Sequence, residues 1–109
     1  MKKPALLRPQ ALRDQQHEAR YYRHEGGSRL ALRMVKASNA ALDRIEIEPG
    51  LGSPALGRRI AIPGLRAWPV DKFPLLWFYF EHEDHLDVVR LLGARQDLEG
   101  ILGSSLKSA

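Results

Sequence analysis

The sequence contains no cysteine. This absence excludes a disulfide framework, a thiol nucleophile and every zinc or iron–sulfur site that depends on cysteine ligands. The chain has 109 residues, of which 44% are hydrophobic and 28% charged. A chain of this size and composition buries enough surface to fold as one globular domain without cross-links. We therefore expect a single domain over residues 1–109, in a reducing compartment.

Long hydrophobic runs are also missing. The longest strongly apolar stretch covers residues 73–80 and contains Pro74, whereas a membrane-spanning helix needs about 20 apolar residues. The basic start, Met1 to Lys3, leads into Arg8-Pro9 without the apolar core of a secretion signal. The sequence therefore predicts no membrane association, no secretion and a cytoplasmic location.

Carboxylates are scarce in the first half of the chain. Residues 1–48 hold ten Lys and Arg residues against six Asp and Glu residues, while residues 49–109 hold seven of each. The net charge of +4 therefore lies in the N-terminal half. A basic surface fits an acidic protein or a nucleic acid as partner. It fits ordinary solvated helices equally well, so the charge alone leaves the partner open.

The hydrophobic pattern changes near Pro49-Gly50, from helical to strand-like. Before this point, residues 4–8 are compatible with a short strand, and residues 10–25 form a helix that Gly26-Gly27 terminates. Apolar residues then recur at helical spacing from Leu30 to Ile45, which predicts a second helix. Two helices joined by a glycine turn form a helical hairpin.

Strand-like segments follow a loop over residues 50–57. Residues 58–62 alternate in polarity as a strand does, and residues 65–70 are extended, with Pro69 typical of an edge strand. Residues 75–81 form a continuous apolar and aromatic run. Such a run is typical of a central strand that is buried on both faces.

The C-terminal part completes the predicted fold. A last strand over residues 86–92 precedes a short helix over residues 97–102, which Asp97 caps, and a flexible tail over residues 103–109. The predicted fold is α+β in the order β-α-α-β-β-β-α, which takes three of the four strand candidates after the hairpin as strands of the sheet. The helical hairpin packs on one face of a small antiparallel sheet.

Signatures of catalysis are absent as well. The chain has no glycine-rich phosphate loop, no nucleophile elbow and no zinc-binding pattern. The segment 81–87 is rich in His, Asp and Glu, but alternation on a hairpin turn directs such side chains to different sides. His17 and His24 fit surface positions. We predict no metal site, no cofactor and no catalytic residue.

Three arginines are candidates for binding an anionic partner or target: Arg66, Arg90 and Arg95. Strand alternation places Arg90 on the same face as Val88 and Leu92, where an unpaired guanidinium is costly. Arg90 therefore either forms a structural ion pair, for instance with Asp97, or lines a groove with the other two arginines. Such a groove takes a phosphate or a carboxylate. Arg66 follows a Pro-Gly turn and is also compatible with a plain surface position.

Five short segments carry a family resemblance over residues 4–102. They are Arg8-Pro9-Gln10-Ala11, Asn39 to Ile45 with Pro49-Gly50-Leu51-Gly52, Ile62-Pro63-Gly64-Leu65-Arg66, Phe73-Pro74 with Phe78-Tyr79, and Val89 to Asp97. In this order they resemble the ParE/RelE superfamily of bacterial toxins, and the ParE-like branch most. The resemblance implies the RelE/ParE-like fold and a small growth inhibitor that a cognate antitoxin neutralises.

The resemblance also implies a target and a binding surface. ParE-like toxins act on DNA gyrase, so nucleic acid is expected only indirectly, through the target or the antitoxin. The C-terminal segment of the antitoxin would wrap the helical hairpin and the sheet. We predict that it contacts Tyr21, Tyr22, Arg29, Arg33 and Lys36. One of the two tyrosines is also expected to pack into the core.

Two alternative functions stay open. RelE-like relatives cleave messenger RNA on the ribosome and use basic residues with a Tyr or His as acid and base. Residues 86–102 contain no His, Tyr, Lys or Cys, and Gly93 stands where many relatives carry a histidine. An arginine cannot act as a base at neutral pH. The sequence therefore favours a non-enzymatic gyrase inhibitor over a ribonuclease, and over a binding remnant of the fold without toxicity.

Overall fold

The computed structural model describes residues 2–106. Four strands form one sheet in the order β1-β4-β3-β2: β1 (Ala5–Leu7), β2 (Leu65–Pro69), β3 (Leu75–Glu81) and β4 (Leu86–Gly93). The antiparallel meander of β2, β3 and β4 is confirmed, with β3 inside the sheet and β2 at its edge. β1 pairs with β4 in parallel, so the sheet is mixed, and the prediction of an antiparallel sheet is wrong for β1 alone. Parallel pairing needs a long crossover connection, which the intervening helices and strands provide.

A helical hairpin, α1 (Pro9–Ile47), follows β1 and is interrupted at Gly27. Gly27 has φ 86° and ψ 178°, a backbone region that is open almost only to glycine. The predicted glycine break is therefore confirmed, and it separates a first arm (residues 9–26) from a second arm (residues 28–47). Gln15 Nε2 of the first arm donates to Ser38 Oγ at 2.8 Å and to Asn39 Oδ1 at 2.9 Å in the second arm.

The sheet is covered on both faces, as the continuous apolar run of β3 predicts. The hairpin covers one face, where the core includes Met34, Ile45, Trp77 and Tyr79. The other face packs against α2 (Ala55–Arg59) and α3 (Leu98–Leu106). The buried residues of that second core are Ile60, Ile62, Leu65, Phe78, Val89, Leu92 and Leu102.

The predicted strand over residues 58–62 is wrong. The chain forms a 3-10 turn over Pro49–Leu51 and then the short helix α2. Ser53 Oγ accepts a hydrogen bond from the Ala55 amide at 3.2 Å, and the Arg58 amide donates to the Pro54 carbonyl at 3.0 Å, so the local bonds are helical. Ile60 and Ile62 are both buried. Their alternation reflects contact with the second core and not a strand.

Asp97 caps α3 as predicted, because its Oδ1 accepts a hydrogen bond from the Gly100 amide at 3.1 Å. The helix continues to Leu106, so residues 103–106 of the predicted tail are helical. They are held by the apolar contact of Leu102 and Leu106 with the second core. Residues 107–109 lie outside the described part of the chain. Within residues 2–106, no helix is long and apolar enough to cross a membrane.

Candidate partner-binding groove

A surface groove runs between the first arm of α1 and the turn that joins β4 to α3. It consists of two adjoining cavities of about 350 and 470 Å³, which share His17, Glu18 and Gln96. The first arm forms one wall from Gln10 to Tyr22, which is about 18 Å of helix at 1.5 Å per residue. We call this surface the groove.

One end of the groove is polar and carries Arg13, Arg20 and the Arg90–Asp14 ion pair. Arg90 Nε donates to Asp14 Oδ2 at 2.8 Å, and Arg90 Nη2 donates to Asp14 Oδ1 at 3.1 Å. Asp14 Oδ2 also accepts the Leu91 amide at 3.0 Å. A structural ion pair of Arg90 is therefore present, but its partner is Asp14 and not the predicted Asp97.

A β-bulge sets the direction of Arg90. Phe78 pairs with Arg90 and the next residue, Tyr79, pairs with Val88, so Val89 is an extra residue in β4. As a result Val88 belongs to the core under the hairpin, while Leu92 belongs to the opposite core. The prediction that Val88, Arg90 and Leu92 share one face is therefore wrong. Arg90 contacts both layers, because its Nη1 donates to Ser105 Oγ of α3 at 2.9 Å.

The other end of the groove is aromatic. Tyr22 packs edge-to-face on Phe73 with ring centroids 5.1 Å apart, which confirms that one tyrosine of the pair packs into the core. Burial, and then the nearby Glu18 carboxylate, raises the pKa of Tyr22. Tyr21 packs edge-to-face on Tyr22 and stays 52% exposed. With Pro74 and Leu75, the tyrosines form an apolar surface that a partner side chain could cover.

Glu18 and His17 line both halves of the groove. Burial raises the pKa of the Glu18 carboxyl, and the neighbouring His17 opposes this shift. Sequence reasoning missed Asp14 and Glu18 as groove residues. The available signal was their position on the inward stripe of the first arm, with Ala11 and Tyr22, where an apolar residue is expected.

Arg95 is exposed on the rim of the aromatic end, in the turn after β4. Gln96 holds this turn, because its Oε1 accepts the Gly93 amide at 2.6 Å. The groove therefore brings together Arg90, Arg95, Tyr21 and Tyr22. The sequence assigned the two arginines to an anionic target and the two tyrosines to the antitoxin.

Arg66 lies apart from the groove, on the edge strand β2. Its Nη1 donates to the carbonyls of Gly52 at 2.6 Å and of Gly50 at 3.3 Å. Tyr79, its cross-strand neighbour, fixes the same loop by donating to the Pro49 carbonyl at 2.6 Å and accepting the Gly52 amide at 3.0 Å. The sequence is compatible with a groove shared by Arg66, Arg90 and Arg95. Arg66 does not share that groove, because β3 separates its strand from β4.

Arg29, Arg33 and Lys36 lie on the exposed side of the second arm. Their spacing of four and three residues places them on one helix face, opposite the buried Met34 and Ser38. A further cavity of about 750 Å³ lies on the flank of this arm, between Ala37 to Arg44 and the turn after β2. None of the three basic residues lines that cavity or the groove.

The His- and carboxylate-rich segment 81–87 pairs mainly within itself and with the N-terminus. His82 and His85 stack with ring centroids 4.7 Å apart, and His85 Nδ1 lies 2.7 Å from Asp84 Oδ1. Arg8 binds Asp87 through two hydrogen bonds and thereby lowers the pKa of the Asp87 carboxyl. Over residues 2–106, no group of three or more His, Asp or Glu side chains could hold a metal ion.

The element order and the packing define a class of small α+β proteins, in which a helical hairpin follows the first strand and crosses one face of a mixed sheet. A solved structure described as "Chromosomal ParDE TA system from P. aeruginosa" has this fold, with a TM-score of 0.72 and 16% sequence identity. The match covers 84% of this chain and 96% of that chain. At this identity the likeness shows the fold alone.

The sequence itself matches the family described as the ParE toxin of the type II toxin–antitoxin system parDE, over residues 5–98. The chain therefore belongs to the ParE toxin family, and the resemblance seen in the sequence is confirmed. No curated protein sequence matches the chain significantly. A type II toxin is paired with a cognate antitoxin, so such an antitoxin is the expected partner of this chain.

Proposed function

We propose that the chain is a non-enzymatic growth inhibitor that acts on DNA gyrase in the cytoplasm, and that its antitoxin neutralises it by binding the groove. Membership of the ParE toxin family supports the toxin class. The observation that carries the non-enzymatic part is the bonding of Arg90. Asp14 and Ser105 occupy its Nε, Nη1 and Nη2 atoms.

These three bonds use three of the five N–H donors of the guanidinium, including the complete edge formed by Nε and Nη2. Arginine binds phosphate through two parallel hydrogen bonds from adjacent nitrogen atoms. In this chain Asp14 takes the edge formed by Nε and Nη2. The Asp14 carboxylate also neutralises the positive charge of Arg90 that would otherwise attract a phosphate. Arg90 is thus a poor phosphate ligand, and the groove arginines without a carboxylate partner within residues 2–106 are Arg13, Arg20 and Arg95.

A ribosome-dependent ribonuclease is the second candidate, and the structure adds one observation in its favour. Residues 86–102 contain no His, Tyr, Lys or Cys, and their carboxylates are Asp87, Asp97 and Glu99. The fold places His17 and Glu18 of the first arm in the same groove as Arg90. An imidazole and a carboxyl are suitable groups for general acid–base catalysis.

Substitution of His17 separates the two candidates. His17→Ala replaces an exposed side chain, so the protein should stay folded. A gyrase inhibitor keeps its toxicity and leaves messenger RNA intact. In a ribonuclease the same substitution should lower cleavage by about 10²- to 10⁴-fold, the usual contribution of a general acid or base. His24→Ala, on the same arm but outside the groove, is the matched control.

The groove fits a peptide segment with mixed chemistry. An apolar side chain would cover Tyr21 and Tyr22, and carboxylates would bind Arg20 and Arg95, since charge complementarity orients such segments. The predicted contacts of the antitoxin with Arg29, Arg33 and Lys36 would require the segment to continue over the outward side of the second arm.

Co-purification with the antitoxin tests this arrangement. Tyr21→Ala and Arg95→Ala should each weaken the complex, because both side chains are exposed at the groove. Arg58→Ala, an exposed arginine on α2, should leave it unchanged. Equal affinity of all three variants would show that the antitoxin binds elsewhere.

A further inference from the structure

We propose that the outward face of the helical hairpin binds the phosphate backbone of a nucleic acid directly. This departs from the expectation that nucleic acid is reached only through the antitoxin or the target. We define the outward face by its exposed basic residues: Arg13, Arg20, Arg23, Arg29, Arg33 and Lys36.

Exposed charge is segregated on this protein. Between residues 9 and 42, six basic side chains are exposed and Glu25 is the one exposed carboxylate. Over the rest of residues 2–106, seven exposed Lys and Arg side chains face eight exposed Asp and Glu side chains. The net exposed charge is thus +5 over residues 9–42 (six basic, one acidic) and −1 over the rest of residues 2–106 (seven basic, eight acidic), so the net positive charge lies on the hairpin. A basic surface of this kind attracts polyanions and raises their rate of association.

The protein itself does not neutralise these groups. Asp14, a carboxylate of the first arm, turns inward to Arg90. Arg13 donates to the neutral side chain of Gln10 at 3.1 and 3.3 Å. No ion pair within residues 2–106 involves any of the six basic side chains. Their charge therefore faces solvent unpaired.

The shape of the face favours a nucleic acid over an acidic peptide. A peptide that binds a helical surface usually lies in a groove with apolar anchors. The cavities described above lie along the flanks of the hairpin, and only Arg13 and Arg20 among the six line one of them. Leu32, between Arg29 and Arg33, is exposed and apolar, but it lines none of the three cavities and so does not form an anchor site for a peptide. Arg29, Arg33 and Lys36 lie within about 10 Å along one side of the second arm, which suits contact with neighbouring phosphates of one strand.

The expected binding is weak and depends strongly on salt. Contacts with phosphates release counterions, and the slope of log K against log salt is about −0.9 for each phosphate contacted on duplex DNA. Six contacts would give a slope of about −5, and a dissociation constant of about 10⁻⁴ to 10⁻⁶ M at physiological salt. No base is read, so the sequence of the duplex should have no effect.

Fluorescence anisotropy with the purified full-length chain tests the proposal. The probes are a labelled 20-base-pair DNA duplex of arbitrary sequence, an RNA duplex of the same length, and labelled poly-L-glutamate. The variant R29Q/R33Q/K36Q removes three of the six charges. The matched control R58Q/R59Q/K72Q removes three exposed charges from another part of the surface. Thermal melting confirms that both variants are folded.

We expect the R29Q/R33Q/K36Q variant to bind the DNA duplex at least tenfold more weakly at 50 mM NaCl, with a slope reduced by about 2 to 3. The control variant should stay within twofold of the unmodified chain. The R29Q/R33Q/K36Q variant should also bind the RNA duplex more weakly, because only the phosphate backbone is contacted.

Three results would overturn the proposal. The first is no binding of either duplex at low salt. The second is an equal loss in both variants, which would reflect net charge alone. The third is a loss of poly-L-glutamate binding with unchanged DNA binding, which would make the face a surface for an acidic segment of the antitoxin. None of these outcomes depends on gyrase or on toxicity.

Discussion

Removal of Arg90 should strongly destabilise the protein, because it breaks a largely buried ion pair. The Arg90 and Asp14 side chains are 16% and 9% exposed and are joined by two hydrogen bonds. Arg90→Ala leaves the Asp14 carboxylate with the Leu91 amide and Gln10 Nε2 as its remaining donors. Loss of one partner of a buried pair costs about 3–5 kcal/mol.

The cost can be measured by urea unfolding of Arg90→Ala, Asp14→Ala and the double variant. Each single variant leaves an unpaired buried charge, whereas the double variant leaves none. The loss of unfolding free energy in the double variant should therefore be about 2 kcal/mol smaller than the sum of the two single losses. In a domain of this size, a loss of 3 kcal/mol lowers the melting temperature by more than about 10 °C.

Arg66→Ala is the control for this cycle. Arg66 is also a partly buried strand arginine, but it donates to two loop carbonyls and pairs with no carboxylate. We expect a loss of about 1–2 kcal/mol and no coupling to Asp14. If Arg90→Ala is as stable as the unmodified chain, or if the cycle is additive, Arg90 is a free surface charge and the burial argument fails.

Three further substitutions test the fold. Gly27→Ala should cost about 1–3 kcal/mol, because φ 86° with ψ 178° is open almost only to glycine. Gly50→Ala, where an added methyl group meets nothing and the backbone is ordinary, should cost less; equal melting temperatures would contradict the strain at Gly27. Tyr79→Phe should lower stability by about 1–3 kcal/mol, since it removes the hydroxyl that bonds Pro49 and Gly52, and an unchanged urea midpoint would contradict this role. Asp87 has a lowered pKa in the folded protein, so its pairing with Arg8 stabilises the fold above about pH 4 and is lost as the pH falls further. Asp87→Asn should therefore flatten the loss of stability in acid, and an unaltered pH profile would show that the Arg8 pair contributes nothing.

Much of the fold could be predicted because its signals are local. The continuous apolar run of β3, the proline of the edge strand β2 and the glycine pair in the hairpin each act through the conformation of their own residues. The segment 58–62 failed because burial of Ile60 and Ile62 by a distant core produces the same alternation as a strand. The parallel pairing of β1 was missed because it depends on where the crossover places the chain.

The site could be predicted only in part, because its decisive contacts join distant residues. Asp14 and Arg90 are 76 residues apart in the sequence, and no local pattern names one as the partner of the other. The bulge at Val89 cannot be read from the alternation of β4, since it exists only in the register with β3. Tyr21, Tyr22, Arg90 and Arg95 were recognised singly, and their convergence on one groove required the fold.

Induced expression of the chain without its antitoxin tests the central claim most directly, with the DNA-damage response and the integrity of messenger RNA measured in the same cells. We predict that the damage response rises while messages stay intact, in the unmodified chain and in His17→Ala alike. Rapid arrest of translation with site-specific cleavage of messages, abolished by His17→Ala, would contradict the proposed inhibition of gyrase and establish the ribonuclease.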